Sequence, residues 1–353
     1  MKYLSNLNLE IFGSSHSDKI GMKLSGIKKG ERIDTAKLKE FVDRRKPSGS
    51  IFSTKRAEPD IIEIESGIEN GIVTGDVTAV IRNVDIKSKD YDALQFCPRP
   101  SHADYPAKLK YGLDYDVKGG GSFSGRMTAP LCIAGGIAKQ ILEKRGIRAA
   151  GYVSNIGGIR SLSYEDRIPA VDEIEKIQNQ VVPTFSKQDD ILRLLEACRN
   201  NSDSVGGQIE CVVTGLQGGI GGCLFDGIES ELAGLLYAVP AVKAVEFGSG
   251  VELASMRGSE ANDGYRYVDG KVVTESNHNG GILGGITVGS QLLIRVTVKP
   301  TPSIAARQHS VDLSKKENVD LVIKGRHDVC IVPRAVAAVE AAICIGILDI
   351  IGE

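Results

Sequence analysis

Lys118-Gly119-Gly120-Gly121-Ser122-Phe123-Ser124-Gly125-Arg126 runs directly into an apolar-periodic stretch that begins near Thr128. How this glycine run is read decides the fold. A glycine-rich turn that opens a helix is part of a dinucleotide-binding unit only if a strand precedes it with Gly-x-Gly-x-x-Gly spacing and an acidic residue follows at the right distance. The chain contains no such combination. Its β-rich runs include Ile61-Ile62-Glu63-Ile64-Glu65, Gln208-Ile209-Glu210-Cys211-Val212-Val213 and Leu292-Leu293-Ile294-Arg295-Val296-Thr297-Val298, and long glycine-bearing loops lie between them. Regular strand-helix alternation is missing, so the predicted class is α+β, not a doubly wound sheet.

Helix start and stop signals mark five helices. Asp34 caps a helix through Leu38, Phe41 and Val42 that ends at Pro47. Thr128 and Pro130 open a second, through Ile133, Ile137 and Leu142, with Gly146 as its stop. Others are expected from about Lys187 to Arg199, from Glu229 to Tyr237, and from Arg334 to Ile350. No linker or repeat divides the 353 residues, so one domain over 1–353 is expected, with residues 155–190 as its insertion.

With 42% hydrophobic and 25% charged residues, the chain reads as a globular protein with a sizeable core. A formal charge of −2 provides no basic field for nucleic acid, so any anion site must be built from local arginine and lysine. The seven cysteines are odd in number and scattered, which argues against a disulfide framework or a zinc site and for a reducing compartment. The N-terminal residues lack the apolar core of a signal peptide, and no window approaches a membrane span. A cytoplasmic location is expected.

Four of the five histidines, His16, His102, His278 and His327, lie in glycine-rich or charged turn-like stretches, whereas His309 reads as surface. Imidazoles among arginine, serine and glycine suggest proton chemistry on a phosphorylated molecule. The Gly119–Gly121 run either grips an anion at a helix N-terminus or serves as a flexible turn. Lys299-Pro300-Thr301-Pro302-Ser303 suits a phosphate group or simply ends a strand. Asp43-Arg44-Arg45-Lys46-Pro47 complements a helix C-terminus, and taken alone it is a solvated face more often than a ligand site. No histidine has His-x-x-x-His or His-Glu-x-x-His spacing, so no catalytic metal is expected.

Taken in order, residues 12–17, 43–47, 99–105, 119–128, 277–285, 299–304 and 325–330 resemble the chorismate synthase family from end to end of the chain. Asp203-Ser204-Val205-Gly206-Gly207 and residues 242–248 reinforce the resemblance. It implies a β-α-β sandwich with helices between antiparallel sheets, assembled as a homotetramer. The implied reaction is an anti-1,4-elimination of phosphate from 5-enolpyruvylshikimate 3-phosphate to give chorismate, with reduced FMN and no net redox change. An external flavin reductant is implied as well. A flavin- or phosphate-ligand-binding paralogue without lyase activity is the alternative, and a non-enzymatic phosphate-ligand sensor would place no demand on His16 or His102.

Carried over by position, His16 resembles the histidine that protonates the departing phosphate, and His102 the one that protonates reduced flavin near N1. Asp328 resembles the carboxylate that manages the N5 proton. Ser122, Phe123, Ser124, Gly284, Lys299, Pro300, Thr301, Pro302, Ser303 and Arg326 align with FMN-binding segments. Arg45 aligns with an arginine on the substrate or NADPH side, which turns the reading of its charge run toward anion contact. The chain departs from the family pattern at Ser14, where glutamate is common, at Ile51, where arginine is expected, at Pro240, where asparagine is frequent, and at Ser122, Phe123, Gly125 and Met127. Asp18 could take the place of that glutamate beside His16, or it could cap a turn.

Overall fold

The computed structural model describes residues 4–47, 58–84, 95–323 and 328–352. Its first half contains β1 (Asn8–Gly13), β2 (Lys19–Ser25), α1 (Thr35–Asp43), β3 (Glu63–Glu69), β4 (Ile72–Arg82), α2 (Asp104–Tyr111), α3 (Thr128–Lys144), β5 (Arg148–Ile156) and β6 (Ile159–Arg160). Next come α4 (Val171–Ile177), α5 (Gln188–Asn200), β7 (Gly207–Thr214), α6 (Ile228–Ala238), β8 (Val242–Phe247) and α7 (Gly258–Ala261). Three short pairs follow the same order: β9 (Tyr265–Val268) with β10 (Lys271–Thr274), β11 (Ile282–Leu283) with β12 (Ile286–Thr287), and, after β13 (Leu292–Val298), β14 (Gln308–Asp312) with β15 (Glu317–Leu321). The chain closes with α8 (Val332–Ile351).

The five expected helices form close to their signals. Asp34 caps α1, its carboxylate accepting from the N–H of Ala36 at 2.9 Å and of Lys37 at 3.1 Å. Gly146 follows α3 with φ +79°, the left-handed conformation that a helix stop favours. Two elements escape the periodicity. Helix α2 has no side-chain cap at Ala103, carries Pro106 in its first turn and is mostly polar. Helix α4 covers part of the stretch expected as an insertion and buries Val171 and Ile174.

Two antiparallel sheets hold the helices between them. One has strand order β1-β2-β4-β3 and the other β6-β5-β7-β13-β8. Helix α3 packs on β2 and β4 of the first sheet, α8 packs on β5 and β7 of the second, and α3 and α8 pack on each other. This is the expected α+β sandwich. Strand β7 is buried on both faces: Ile209, Cys211 and Val213 join the main core under α8, whereas Val212 joins Ala150, Tyr152, Tyr164, Ile174 and Leu293 on the outer face. Burial on both sides explains why Cys211-Val212-Val213 is continuously hydrophobic, and Glu210, also buried, is met by Tyr152, Ser163 and Arg295.

Helix α8 is buried along most of its length because α3, α6 and the sheet surround it, and its few charged residues, Arg334, Glu340 and Asp349, are met by partners. It approaches α3 at Gly135, where an ideal Cβ would fall 2.2 Å from Ala341 Cβ and 2.4 Å from its Cα. A larger residue forces the helix axes apart, so Gly135→Leu is expected to destabilise the fold by about 1–3 kcal/mol. A lowered urea midpoint with unchanged m would show this, and an unshifted midpoint would show that the α3–α8 contact yields freely.

The same layering positions the site. The turn after β1, the end of β4, the end of α1, the loop before α3 and the segment before α8 are linked at one end of the sandwich by the contacts described next.

Candidate active site

Three consecutive glycines, Gly119, Gly120 and Gly121, have φ values of +58°, +86° and +54°. No L side chain adopts such a succession without strain, so the backbone here needs glycine. It also needs the missing side chains. A Cβ on Gly119 would lie 1.9 Å from His16 Cε1, and a Cβ on Gly120 would lie 3.2 Å from His102 Cε1. Two histidines far apart in sequence therefore meet the same backbone strip. The run does not itself open α3: a short 3-10 turn, Gly125–Met127, separates them, and Ser124 Oγ caps it by accepting from Arg126 N at 3.3 Å.

His16 is held from the side. The buried Ser15 hydroxyl donates to Gly119 O at 3.1 Å and lies 3.0 Å from His16 Nδ1. A carbonyl only accepts, so the hydroxyl proton points at Gly119 and Nδ1–H donates to Ser15 Oγ. The exposed Asp18 carboxylate makes no hydrogen bond or ion pair among the described residues; the carbonyl of Asp18 accepts from Asn83 N at 3.0 Å. Neither role considered for the Asp18 side chain is taken up.

His102 sits in a turn before α2. Its Nδ1 is 2.7 Å from Asp104 Oδ1, and Arg99 clamps the same carboxylate through Nε at 2.7 Å and Nη2 at 2.8 Å. This turn is joined to the segment after β13: Lys299 Nζ donates to the carbonyl of Ser101, and Arg99 Nη1 lies 3.4 Å from Ser303 Oγ. Burial, then the charge of Lys243, pulls the Lys299 ammonium below its ordinary pKa. Thr301 Oγ1 is buried with no hydrogen-bond partner among the described residues.

A chain of hydrogen bonds and ion pairs leads from the turn that carries His16 to Asp328. Asn83 Nδ2 donates to the carbonyls of Ser14 at 3.2 Å and Ser17 at 2.7 Å, and Asn83 Oδ1 accepts from Arg126 Nε at 3.0 Å. Arg126 Nη1 pairs with Asp60 Oδ1, and Arg45 Nη2 takes Asp60 Oδ2 at 2.5 Å. Arg334 then donates from Nε to the carbonyl of Arg45 at 3.0 Å and from Nη1 to both oxygens of Asp328 at 2.8 Å. Burial pulls the Arg45 guanidinium down, and the charges of Arg334 and Arg126 add to this against the opposing pull of Asp60. Burial alone would raise the Asp60 carboxyl, but Arg45 and Arg126 hold it below the usual range. Arg45 Nε and Arg126 Nη2 remain buried without a hydrogen-bond partner among the described residues.

The charge run after α1 is thus no solvated face. Arg44 reaches the fully buried Glu340 at 2.9 Å, and Arg45 is only 5% exposed. Asp60, Asn83, Asp104 and Arg334 are site residues that the sequence reading did not single out. The surplus of cations in residues 43–46 signals only that a counter-charge from elsewhere, here Asp60, is required once they are buried.

Other expected site residues are placed as follows. Ser122 and Phe123 are exposed, with Ser122 Oγ 3.2 Å from Tyr115 OH. Gly284 forms the turn between β11 and β12, with φ +60° and open space where a Cβ would stand. The loop around it packs against Gly221, Gly222, Gly227 and Gly248, and His278 Nδ1 engages Ser249 Oγ at 3.0 Å. None of these contacts joins that loop to the two histidines. His309 is 99% exposed, as expected for a surface residue. Arg326, His327 and Ile51 lie outside the described residues. Among the described residues, no group of three or more His, Cys, Asp or Glu could hold a metal ion, and no helix is long and apolar enough to cross a membrane.

The family model described as chorismate synthase matches residues 7–351. A chorismate synthase of Lancefieldella parvula is 43% identical over 359 residues, covering 98% of this chain and 94% of its own. Those of Korarchaeum cryptofilum and Thermococcus gammatolerans are 41% and 42% identical, each covering 97% of this chain and 95% of its own. A chorismate synthase crystal structure superposes with a TM-score of 0.77 at 22% identity, covering 99% of this chain and 92% of that one, and so shares the fold.

Proposed function

The chain belongs to the chorismate synthase family of carbon-oxygen lyases acting on phosphate, and we propose that it catalyses the anti-1,4-elimination of phosphate from 5-enolpyruvylshikimate 3-phosphate to chorismate. Reduced FMN is the proposed cofactor, supplied by an external reductant. The observation that carries this reading is the meeting of His16 and His102 on one glycine strip. Two proton-handling groups are brought together there, because the missing side chains of Gly119 and Gly120 let both imidazoles pack against the same backbone.

The residues present suit both ligands. Gly119 and Gly120 let His16 and His102 lie side by side against the backbone, and the unpartnered Thr301 Oγ1 in the Lys299–Ser303 segment offers a hydrogen bond toward a flavin. The buried Arg45 Nε, which has no hydrogen-bond partner among the described residues, suits the anionic substrate or NADPH. When bound, the reduced flavin supplies the electron density that lets phosphate leave where no side chain could remove the weakly acidic C6 proton. His16, held at Nδ1 by Ser15, gives a proton from Nε2 to the departing phosphate. His102 protonates the flavin near N1, and Asp328, aimed by Arg334, manages the proton at N5. Ser122, Phe123, Ser124, Gly284 and Arg326 complete the proposed flavin contacts.

A single domain, a cytoplasmic location and a homotetramer go with this reading. Leu224, Phe225 and Tyr267, which are 82%, 90% and 78% exposed, give the chain apolar surface suited to self-association.

The site assignment is tested by His16→Ala, His102→Ala and Asp328→Asn. Each should lower kcat by roughly 10²–10⁴-fold, the range of a positioned acid or base, while substrate binding changes little. A rise confined to KM would make these residues binding groups instead.

A further inference from the structure

His102 and Asp104 make a pair whose chemistry is set by a third residue. Asp104 is the first residue of α2 and only 1% exposed, and its carboxylate accepts from four donors. Oδ2 takes Arg99 N at 3.0 Å and Arg99 Nε at 2.7 Å, while Oδ1 takes Arg99 Nη2 at 2.8 Å and His102 Nδ1 at 2.7 Å. Burial alone would raise its pKa, yet the hydrogen bonds from Arg99 and His102 hold it well below the usual carboxylate range. An ionised carboxylate only accepts, so His102 Nδ1 must carry a proton. The 3.2 Å approach of Arg99 Nη2 to that nitrogen is then a contact between two donors, not a hydrogen bond.

His102 is turned so that its other nitrogen is the useful one. A Cβ on Gly120 would stand 3.4 Å from His102 Nε2, so this nitrogen lies against the glycine strip, beside the place where His16 meets it. We propose that Asp104, fixed by Arg99, is a positioning residue that locks the proton of neutral His102 on Nδ1 and thereby reserves Nε2 for proton exchange with the bound ligand. The ligand side of this inference rests on the flavin reading above. The paired carboxylate also stabilises the imidazolium formed when Nε2 is protonated, without taking the proton itself. His309 supplies a contrast within the same chain. Its Nδ1 meets Asp320 at 2.9 Å, but the ring is 99% exposed and water competes for both nitrogens.

The test is Asp104→Asn, read in protein labelled with ¹⁵N at histidine. The two donors on the Oδ2 side, Arg99 N and Nε, would orient the amide oxygen toward themselves and its NH₂ toward His102. A donor facing Nδ1 moves the imidazole proton to Nε2. Long-range ¹⁵N–¹H correlations, recorded where the ring is neutral, should therefore show His102 protonated on Nδ1 in the wild type and on Nε2 in the variant. The His309 pattern should stay unchanged. With the wrong tautomer, kcat should fall roughly 10²-fold or more while KM holds, as a change of acceptor to donor beside a working imidazole produces. Arg99→Lys keeps the carboxylate and so should keep the Nδ1–H pattern.

A wild-type spectrum with bare Nδ1 would overturn the proposal without any variant, even if Asp104→Asn fails to fold. A folded Asp104→Asn that keeps Nδ1–H would overturn it too. The tautomer is read without turnover. A wild type that shows the lock but forms no chorismate would therefore count against the lyase reading and leave the Asp104–His102 assignment standing.

Discussion

Gly119→Ala is expected to leave a folded protein with turnover reduced on the order of 10²-fold or more. The added Cβ would stand 1.9 Å from His16 Cε1 and 2.3 Å from Nδ1, with Ser15 Oγ at 2.9 Å. Overlap of that size forces the imidazole to move from its present place against the strip. Alanine at φ +58° adds about 1–2 kcal/mol of backbone strain, which a folded domain tolerates. Gly125→Ala is the control. It lies in the same loop, its φ is not positive, and nothing lies within 4 Å of its ideal Cβ. Steady-state kinetics with circular dichroism would decide the matter. Equal activity in the two variants would mean that the position of His16 does not matter to the chemistry.

The second large effect concerns Asp60, which is 1% exposed and adopts φ +47° between two buried arginines. Asp60→Ala leaves Arg45 and Arg126 facing each other with their shared anion gone. Removing one partner from a buried ion pair typically destabilises a fold by about 3–5 kcal/mol. Asp60→Asn keeps the shape but not the charge, and should recover only part of that loss. The pH dependence follows from the lowered pKa of Asp60. The carboxylate's contribution to stability is present above its ordinary value of 3.8 and is lost as pH falls below it, where proton uptake favours the unfolded chain. Urea unfolding from neutral to acid pH should therefore show a steeper decline for wild type than for Asp60→Asn. Parallel profiles would mean that the arginines are neutralised by other groups.

The helices were legible where a local signal fixed them, as at Asp34 for α1 and Gly146 for α3. Helix α2 was not, because Pro106 and a polar composition mimic a loop, and what orders it is tertiary: the Asp104 carboxylate buried under Arg99. His16 and His102 were each visible as candidates, but not their meeting on one strip, because the chain separates them and only the sandwich joins them. Arg45 was readable as an anion contact through resemblance alone; local sequence favours a solvated face for such a run. Asp60 and Asn83 carried no local mark at all. A buried polar residue is distinguished by the partners that satisfy it, and here those partners come from α1, the end of β4 and the loop before α3.

The most direct measurement is an anaerobic assay of the wild-type protein with dithionite-reduced FMN and 5-enolpyruvylshikimate 3-phosphate, in which chorismate and inorganic phosphate are followed together. The expected result is equal amounts of the two products over many turnovers per flavin, and none when oxidised FMN replaces the reduced form under strict exclusion of reductant. Turnover at the same rate with oxidised FMN, or ligand binding without release of either product, would contradict the proposed function.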